Sequence, residues 1–255
     1  MAFEKSPMVL LHGLSSSGKA WRDVVPLLAE VYDAHAPTSL GHVGGATVQK
    51  RPVTLTDVVD EAERYLDDHG LDQPHVVGHS MGGFVAIEVA RRGRAASVCA
   101  ITPGGFWNRD DERKTASLDE VIRGIAMGRR IRLIYPLLVK PKFLRRRLLQ
   151  ISAGDGARVS EARAVEMFHD ALGCTVVEDI AASSEFIAPL DPLPCPVDIV
   201  WAEKDPIIPP ASYEAEARKR LPGASFHTLP GLAHEPMVDA PELVARTILA
   251  VTAPD

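Results

Sequence analysis

Residues 75–92 read HVVGHSMGGFVAIEVARR, and this stretch decides the fold. An apolar run that predicts a buried strand leads into GHSMG (residues 78–82), which has the form Gly-x-Ser-x-Gly, and a helical pattern follows from Gly82 to Arg92. A serine at such a junction sits on a sharp, strained turn, where small residues on either side let the backbones approach. The following helix directs free amides and the positive end of its dipole at Ser80. These features are typical of a serine nucleophile.

A phosphate-binding loop is the main alternative for a strand, a glycine-rich turn and a helix. This turn lacks the Lys-Ser/Thr pair of a P-loop and does not match Gly-x-Gly-x-x-Gly. The motif therefore favours a nucleophile, provided that a base and an acid follow it.

Strand and helix patterns alternate along most of the chain. The predicted strands are Pro7 to Leu11, His75 to Gly78, Ser97 to Thr102, Val197 to Ala202 and Ser225 to Leu229. The predicted helices outside the central part are one starting near Ala20, Thr54 to His69 with Thr54 or Thr56 as its cap, Gly82 to Arg92, and Pro241 to Val251. This order predicts an α/β fold whose mostly parallel central sheet, of about six strands, has helices on both faces.

Residues 106–188 interrupt that alternation. They carry no clear strand signal but hold helical patterns at Ser117 to Met127, Pro141 to Ile151 and Ser160 to Leu172. We expect a core made of residues 1–105 and 189–255, with residues 106–188 inserted as a helical unit between two strands.

A serine hydroxyl needs a histidine base, and the histidine needs a carboxylate that orients it. In this architecture the order is Ser, acid, His, each just beyond a strand. Asp205 follows the strand VDIVWA and His234 follows the last predicted strand, so both are expected at the carboxyl edge of the sheet, near Ser80.

Other residues compete for these roles less well. His79 is expected to point along the turn, and His227 lies inside a predicted strand. The remaining acidic candidates near strand ends are Glu203, Asp110 and Asp111.

Composition limits the class of function. The 255 residues carry a net charge of −6, which gives no general reason to expect nucleic-acid binding. The three cysteines have no CxxC spacing, which argues against a zinc site or disulfide framework and favours a reducing compartment. No signal-peptide pattern or membrane-length apolar run is present, so we expect a cytoplasmic protein without stable membrane insertion.

We expect no metal or organic cofactor. The expected partner is a small-molecule substrate, and the sequence leaves open whether the protein forms a homo-oligomer.

Four motifs together resemble the α/β-hydrolase superfamily over nearly the whole chain. They are LLHGLSSSGKAW (residues 10–21), VVGHSMGGF (76–84), WAEKDPIIPP (201–210) and GLAHEPMVDAPELV (231–244). The resemblance implies Ser80 as nucleophile, His234 as base and Asp205 as its orienting acid. It further implies an oxyanion hole formed by the amides of Leu14 and Met81, a structural role for His12, and a cap over the site formed by residues 106–188.

The match has two departures. Little sequence precedes Val9 to form the β-hairpin common in the superfamily, and YDAHAPTSLGHVGGA (residues 32–46) replaces the usual Asp-x-x-Gly-x-Gly. Neither departure touches the predicted triad.

The resemblance also limits the reaction. Epoxide hydrolases and haloalkane dehalogenases of this superfamily attack with a carboxylate, and here Ser80 occupies that position. Hydrolysis of a carboxylic ester or thioester through an acyl-enzyme is therefore the expected activity. The alternatives are hydrolysis of a carbon–carbon bond in a diketone, cofactor-free perhydrolysis, and a ligand-binding protein without turnover.

The inserted segment has a distinctive charge pattern. Nine basic residues and no acidic residue lie between Val121 and Gly154. They are either cations that steer or dock acidic partners, or a solvated helix face whose long stems cover leucines. Leu137 and Leu138 of this segment, with Trp107, are the predicted substrate-binding residues.

Overall fold

The central sheet has six strands, and all of them are parallel. The computed structural model describes residues 5–107 and 112–252, with backbone alone for residues 112–117. The strands, in chain order, are β1 Ser6–Leu11, β2 Tyr32–His35, β3 His75–His79, β4 Ser97–Ile101, β5 Val197–Ala202 and β6 Ser225–Leu229. Their spatial order is β2-β1-β3-β4-β5-β6. The predicted α/β fold with about six strands is confirmed.

Helices cover both faces of this sheet. The α-helices among the described residues are α1 Val25–Leu28, α2 Leu55–Asp68, α3 Met81–Arg91, α4 Glu112–Ile131, α5 Tyr135–Leu138, α6 Lys142–Leu148, α7 Glu161–Gly173, α8 Val177–Ala182, α9 Pro210–Arg220, α10 Pro236–Asp239 and α11 Pro241–Thr252. A 3-10 helix also spans Gly18–Trp21. The predicted helix near Ala20 is therefore two short pieces. None of the helices described is both long and apolar enough to cross a membrane.

Two apolar clusters fix these layers because side chains alternate along each strand. Val9 and Leu11 of β1 face one cluster, which α2, α3 and α9 complete. Met8 and Leu10 face the other, which α1 and α11 complete. The inner strands β3, β4 and β5 are thus buried on both faces, as expected for a parallel sheet, whereas the edge strand β6 is largely exposed.

The helix α2 begins where the sequence predicts. The Thr54 hydroxyl accepts a hydrogen bond from the Asp57 amide, and the Asp57 carboxylate accepts one from the Thr54 amide. This reciprocal capping box confirms Thr54 as the helix cap.

The helices α4 to α8 lie between β4 and β5 in the chain. A small apolar cluster of their own holds part of them together, formed by Tyr135, Val139, Leu149 and their neighbours. Contacts of α7 with the core include a 2.6 Å hydrogen bond from the Ser17 hydroxyl to the buried Asp170 carboxylate. The inserted residues are therefore packed among themselves and also tied to the sheet domain.

Candidate active site

Ser80 lies on the turn between β3 and α3 with φ 54° and ψ −115°, a left-handed conformation that a residue with a side chain rarely adopts. Its amide donates a 3.0 Å hydrogen bond to the Ile101 carbonyl. Its own carbonyl accepts hydrogen bonds from the amides of Gly83, Phe84 and Gly104, at 3.0, 3.2 and 3.0 Å. Such a strained position persists only when its surroundings hold it, and these four bonds do so.

Glycines on both sides of Ser80 are required by the close approach of the backbone. A Cβ atom at Gly78 would lie 2.0 Å from the Gly82 carbonyl oxygen, and one at Gly82 would lie 2.3 Å from the Leu11 carbonyl oxygen. Both distances are far below van der Waals contact with rigid backbone. The Gly-x-Ser-x-Gly spacing is thus a packing requirement of this junction.

We expect Gly82→Ala to lower the free energy of unfolding by about 3 kcal/mol, because the added methyl group must displace backbone of β1. Gly124→Ala is the matched control, since a Cβ there meets nothing within 4 Å. That change in the interior of α4 should raise stability by up to about 1 kcal/mol. Urea unfolding of the three proteins measures both effects, and equal midpoints for Gly82→Ala and wild type would contradict the argument.

The loop after β1 passes close to the turn that carries Ser80. A Cβ at Gly13 would lie 2.9 Å from the His79 Nδ1 atom and 3.2 Å from the Ser80 Cβ atom, so only glycine allows this approach. Leu14 follows on this loop, and Met81 follows Ser80 at the start of α3. Within the described ranges, neither of these two amides donates a hydrogen bond to another protein group. Both residues line the same cavity as Ser80.

Two buried histidines brace this loop. His12 donates from Nδ1 to the Gly13 carbonyl at 2.7 Å and accepts at Nε2 from the Ser39 amide at 2.9 Å. His42 Nε2 accepts from the Ser15 amide at 3.2 Å. Burial, followed by the nearby His42, lowers the pKa of His12 to about 3. Both of its hydrogen bonds are satisfied by a neutral ring, which agrees with the structural role expected for it.

The pKa of His12 makes folding sensitive to acid. In the unfolded chain a histidine titrates near 6.5, so below that pH the unfolded state binds a proton that the folded state excludes. Between pH 6 and pH 5 the wild type should therefore lose about 1 kcal/mol more stability than His12→Gln. Urea unfolding of both proteins at the two pH values measures this difference, and identical pH slopes would overturn it.

Asp205 and His234 meet at the carboxyl edge of the sheet. The His234 Nδ1 atom lies 2.7 Å from the Asp205 Oδ2 atom, and both residues are buried, at 6% and 4% exposure. The Asp205 Oδ1 atom accepts hydrogen bonds from the amides of Ile207 and Ile208, at 2.8 and 2.9 Å. Both carboxylate oxygens of Asp205 are therefore hydrogen-bonded, and the Nε2 atom of the His234 ring points away from this carboxylate.

Electrostatics favour the charged forms of this pair. Burial alone would raise the pKa of Asp205, but the charge and hydrogen bond of His234 and the two amides together lower it. Burial alone would lower the pKa of His234, but the charge and hydrogen bond of Asp205, with a smaller effect of Glu235, together raise it. A ring in this environment readily accepts a proton.

His79, next to Ser80, is a brace for the histidine loop. It donates from Nε2 to the backbone carbonyl of His234 at 2.7 Å, and the two rings lie 4.8 Å apart. Burial, followed by the charge of His234, lowers the pKa of His79 to about 3. The turn that carries Ser80 and the loop that carries His234 are therefore directly connected, a contact that no sequence pattern indicated.

Within the residues that can be described, Ser80 makes no direct hydrogen bond to the His234 ring. Such contacts are often long or poorly aligned in an enzyme without substrate and tighten when substrate binds. The structure thus brings Asp205 and His234 together, links the His234 loop to His79, the neighbour of Ser80, and places Ser80 on the wall of the cavity.

The cavity holds about 590 Å³, including its open mouth. Its lining is apolar except for Ser80 and Tyr213: Leu14, Leu55, Ser80, Met81, Phe84, Gly104, Trp107, Leu118, Ile180, Ile207, Ile208 and Tyr213. Trp107, one of the three predicted substrate-binding residues, lines this cavity. Leu137 and Leu138 are not among its lining residues, because this segment packs through Tyr135 and the following Val139 and leaves Leu137 61% exposed.

The rival candidates lie elsewhere. Glu203 is exposed, and its carboxylate accepts a 2.7 Å hydrogen bond from the Gly231 amide. His227 is exposed and lies 2.6 Å from the Asp198 carboxylate. Asp110 and Asp111 fall outside the described residues. In the two ranges given above, no group of three or more His, Cys, Asp or Glu side chains is placed to hold a metal ion.

Comparison with known proteins extends these observations. The chain is 32% identical over 204 residues to the epoxide hydrolase EphH of Mycobacterium tuberculosis (strain ATCC 25618 / H37Rv). The matched region covers 75% of this chain and 91% of that protein. Three other curated matches cover between 26% and 45% of the relative's own length.

Solved structures share the fold. A thermophilic esterase from Thermogutta terrifontis has a TM-score of 0.72 at 22% identity, over 97% of this chain and 89% of that one. The 2-hydroxy-6-oxo-6-phenylhexa-2,4-dienoate hydrolase (BphD) from Rhodococcus sp. strain RHA1 has a TM-score of 0.76 at 21% identity, over 98% of this chain and 91% of that one. A sequence profile of the alpha/beta hydrolase family matches residues 8–247, nearly the whole chain. The chain therefore belongs to the alpha/beta hydrolase family.

Proposed function

We propose that this hydrolase cleaves carboxylic esters or thioesters with a small to medium apolar acyl group, through an acyl-enzyme on Ser80. The observation that carries the proposal is the buried 2.7 Å hydrogen bond between Asp205 and His234, beside the strained turn that presents Ser80 to an apolar cavity. A base, its orienting acid and a nucleophile on the wall of a cavity are the groups that acyl transfer requires.

The proposed reaction has two halves. The Ser80 Oγ atom attacks the carbonyl carbon while His234 Nε2 takes its proton, and the free amides of Leu14 and Met81 donate to the oxyanion. His234 then gives the proton to the leaving alcohol or thiol as its bond to the carbonyl carbon breaks. In the second half, water attacks the acyl-enzyme, His234 takes and returns a proton in the same way, and the acid is released.

The cavity lining supports an uncharged acyl group. No Lys, Arg, Asp or Glu side chain is among the described residues that line it. An anionic diketone, such as the dienoate named for the Rhodococcus enzyme, needs a cationic partner for its carboxylate. Ester or thioester hydrolysis therefore fits this lining better than carbon–carbon cleavage. We further propose that residues 106–188 form the cap, since Leu118 of α4 and Ile180 of α8 contribute to the wall.

The name of the Mycobacterium relative raises epoxide opening as a second reaction. Attack of a serine oxygen on an epoxide carbon would form an ether, and water activated by a histidine does not cleave an ether. Attack by a carboxylate instead forms an ester that water can hydrolyse. With Ser80 at the nucleophile position, we infer that this chain does not share that activity.

The decisive experiment compares p-nitrophenyl esters from acetyl to dodecanoyl, together with an aryl thioester and styrene oxide. We expect turnover of the esters, with the highest kcat/KM for short and medium acyl chains, and no turnover of the epoxide. Labelling of the protein by a serine-directed phosphonate separates an enzyme from a binding protein. Opening of the epoxide without ester or thioester hydrolysis, or absence of any labelling, would overturn the proposal.

A further inference from the structure

The exposed apolar side chains of this protein are concentrated in one segment of the inserted helices. Nine large apolar side chains are exposed in the described part of the chain, and six of them lie within residues 127–148. The three most exposed of all are Leu133 at 84%, Phe143 at 72% and Leu137 at 61%. Scattered single apolar residues need no explanation, but a concentration of this kind marks an interaction surface.

The opposite face of the same segment is well packed. Tyr135, Val139 and Leu149 are buried, and the Tyr135 ring stacks on Phe168 of α7 with 3.6 Å between ring centroids. The buried Arg145 guanidinium donates to the carbonyls of residues 139, 140 and 157. The segment is therefore fixed by its inner face, and its outer apolar side chains are left without a partner.

Basic residues alternate along the sequence with these apolar side chains. Three of the nine basic residues are engaged: Arg145 is buried with Glu161 4.0 Å away, Arg146 lies 3.0 Å from Asp155, and Arg129 lies 4.0 Å from Glu178. The other six are exposed and form no ion pair with any residue that the structure describes. These six are Arg123, Arg130, Arg132, Lys140, Lys142 and Arg147.

We define the α4–α6 patch as these six cations together with the six exposed apolar side chains. The apolar members are Met127, Leu133, Ile134, Leu137, Phe143 and Leu148. We propose that the α4–α6 patch docks the protein on the surface of an anionic phospholipid bilayer. The apolar side chains would enter the boundary between headgroups and acyl chains, and the cations would lie among lipid phosphates.

Charge decides among the possible occupants. In a symmetric dimer formed through this patch, its six cations would face six identical ones, and like charges across an interface are unfavourable. A nucleic acid would attract the cations but would leave the leucines and Phe143 exposed to water. An anionic bilayer matches both properties, because it offers negative charge at its surface and apolar chains directly beneath.

The experiment measures binding of the whole protein to phospholipid vesicles. We expect cosedimentation with vesicles of equal parts phosphatidylglycerol and phosphatidylcholine, at least tenfold weaker binding to pure phosphatidylcholine, and weakening as salt rises. Leu133→Ser with Phe143→Ser, and separately Arg130→Gln with Arg132→Gln, should each lower binding at least tenfold. Leu27→Ser with Val31→Ser is the matched control, since these exposed apolar residues lie outside the inserted segment and should not matter.

Three results would overturn the proposal. The first is equal binding to charged and uncharged vesicles, or none to either. The second is unchanged binding by both patch variants, with folding checked by circular dichroism. The third is a dimer in sedimentation velocity without lipid that Leu133→Ser with Phe143→Ser dissociates, which would assign the patch to a second copy. None of these measurements depends on hydrolysis, so failure of the proposed function would leave this test intact.

Discussion

Replacing Ser80 by alanine should lower kcat for the best p-nitrophenyl ester by about 10⁴-fold or more, because it removes the hydroxyl proposed to form the acyl-enzyme. This is the largest effect we expect from any single change. Alanine keeps a Cβ atom at the same strained position, so the turn and the cavity should remain. Purified variant and wild type are compared by kcat, KM and labelling with the phosphonate.

Ser225→Ala is the control for this variant. Ser225 is an exposed residue at the start of β6, on a strand that contributes nothing to the cavity lining. It should retain wild-type kinetics. A Ser80→Ala protein that keeps a tenth of the wild-type kcat and unfolds at the same urea concentration would rule out Ser80 as the nucleophile.

Replacing Asp205 by asparagine should lower kcat by about 10⁴-fold while leaving the site's shape intact. An asparagine oxygen can still accept from the amides of Ile207 and Ile208, which are now bound to Oδ1. Its amide group, however, would donate to His234 Nδ1 and so force the ring proton onto Nε2. The nitrogen that must accept the Ser80 proton would then already carry one.

The pH dependence of the same variant gives a second measurement. His234 must be neutral to act as a base, so activity rises as the pH increases through its pKa. The Asp205 carboxylate raises that pKa in the wild type. Loss of the negative charge should therefore move the acidic limb of the residual activity to lower pH. A limb that stays in place would show that Asp205 does not act on the base.

Glu203→Gln tests the rival acid at the same strand end. Its carboxylate accepts from the Gly231 amide and makes no contact with His234 among the described residues. We expect its kcat to remain within a few-fold of wild type. A loss as large as that of Asp205→Asn would move the orienting role to Glu203.

The sheet was the most predictable part of the molecule. Strands β5 and β6 begin and end at the predicted residues. For β5 the reason is a buried apolar run bounded by turn residues, which leaves little choice of limits. The meeting of Asp205 and His234 was predicted by similar logic, since each lies in the loop that follows a strand and parallel strands bring their carboxyl ends to one edge. Both signals are local in sequence.

The inserted helices were predicted less well. Leu137 and Leu138 belong to an apolar stretch, and periodicity cannot tell whether its outer face meets a cavity or solvent. One of the two explanations for the basic segment was that the long basic side chains cover its leucines. This explanation does not hold for Leu133 and Leu137, because both side chains are exposed. The cavity wall instead comes largely from the core, for example from Phe84 and Ile208. Their role depends on contacts between distant residues, which no local pattern contains.

The left-handed backbone at Ser80 has a consequence for how this protein can be improved. Conformations of this kind cost of order 1–3 kcal/mol in a residue other than glycine, and the four hydrogen bonds around Ser80 hold that energy in the folded state. A glycine at position 80 would relax the backbone and remove the hydroxyl at the same time. Selection for thermal stability alone would therefore tend to erase the proposed nucleophile, so a search for heat-resistant variants needs a simultaneous screen for turnover.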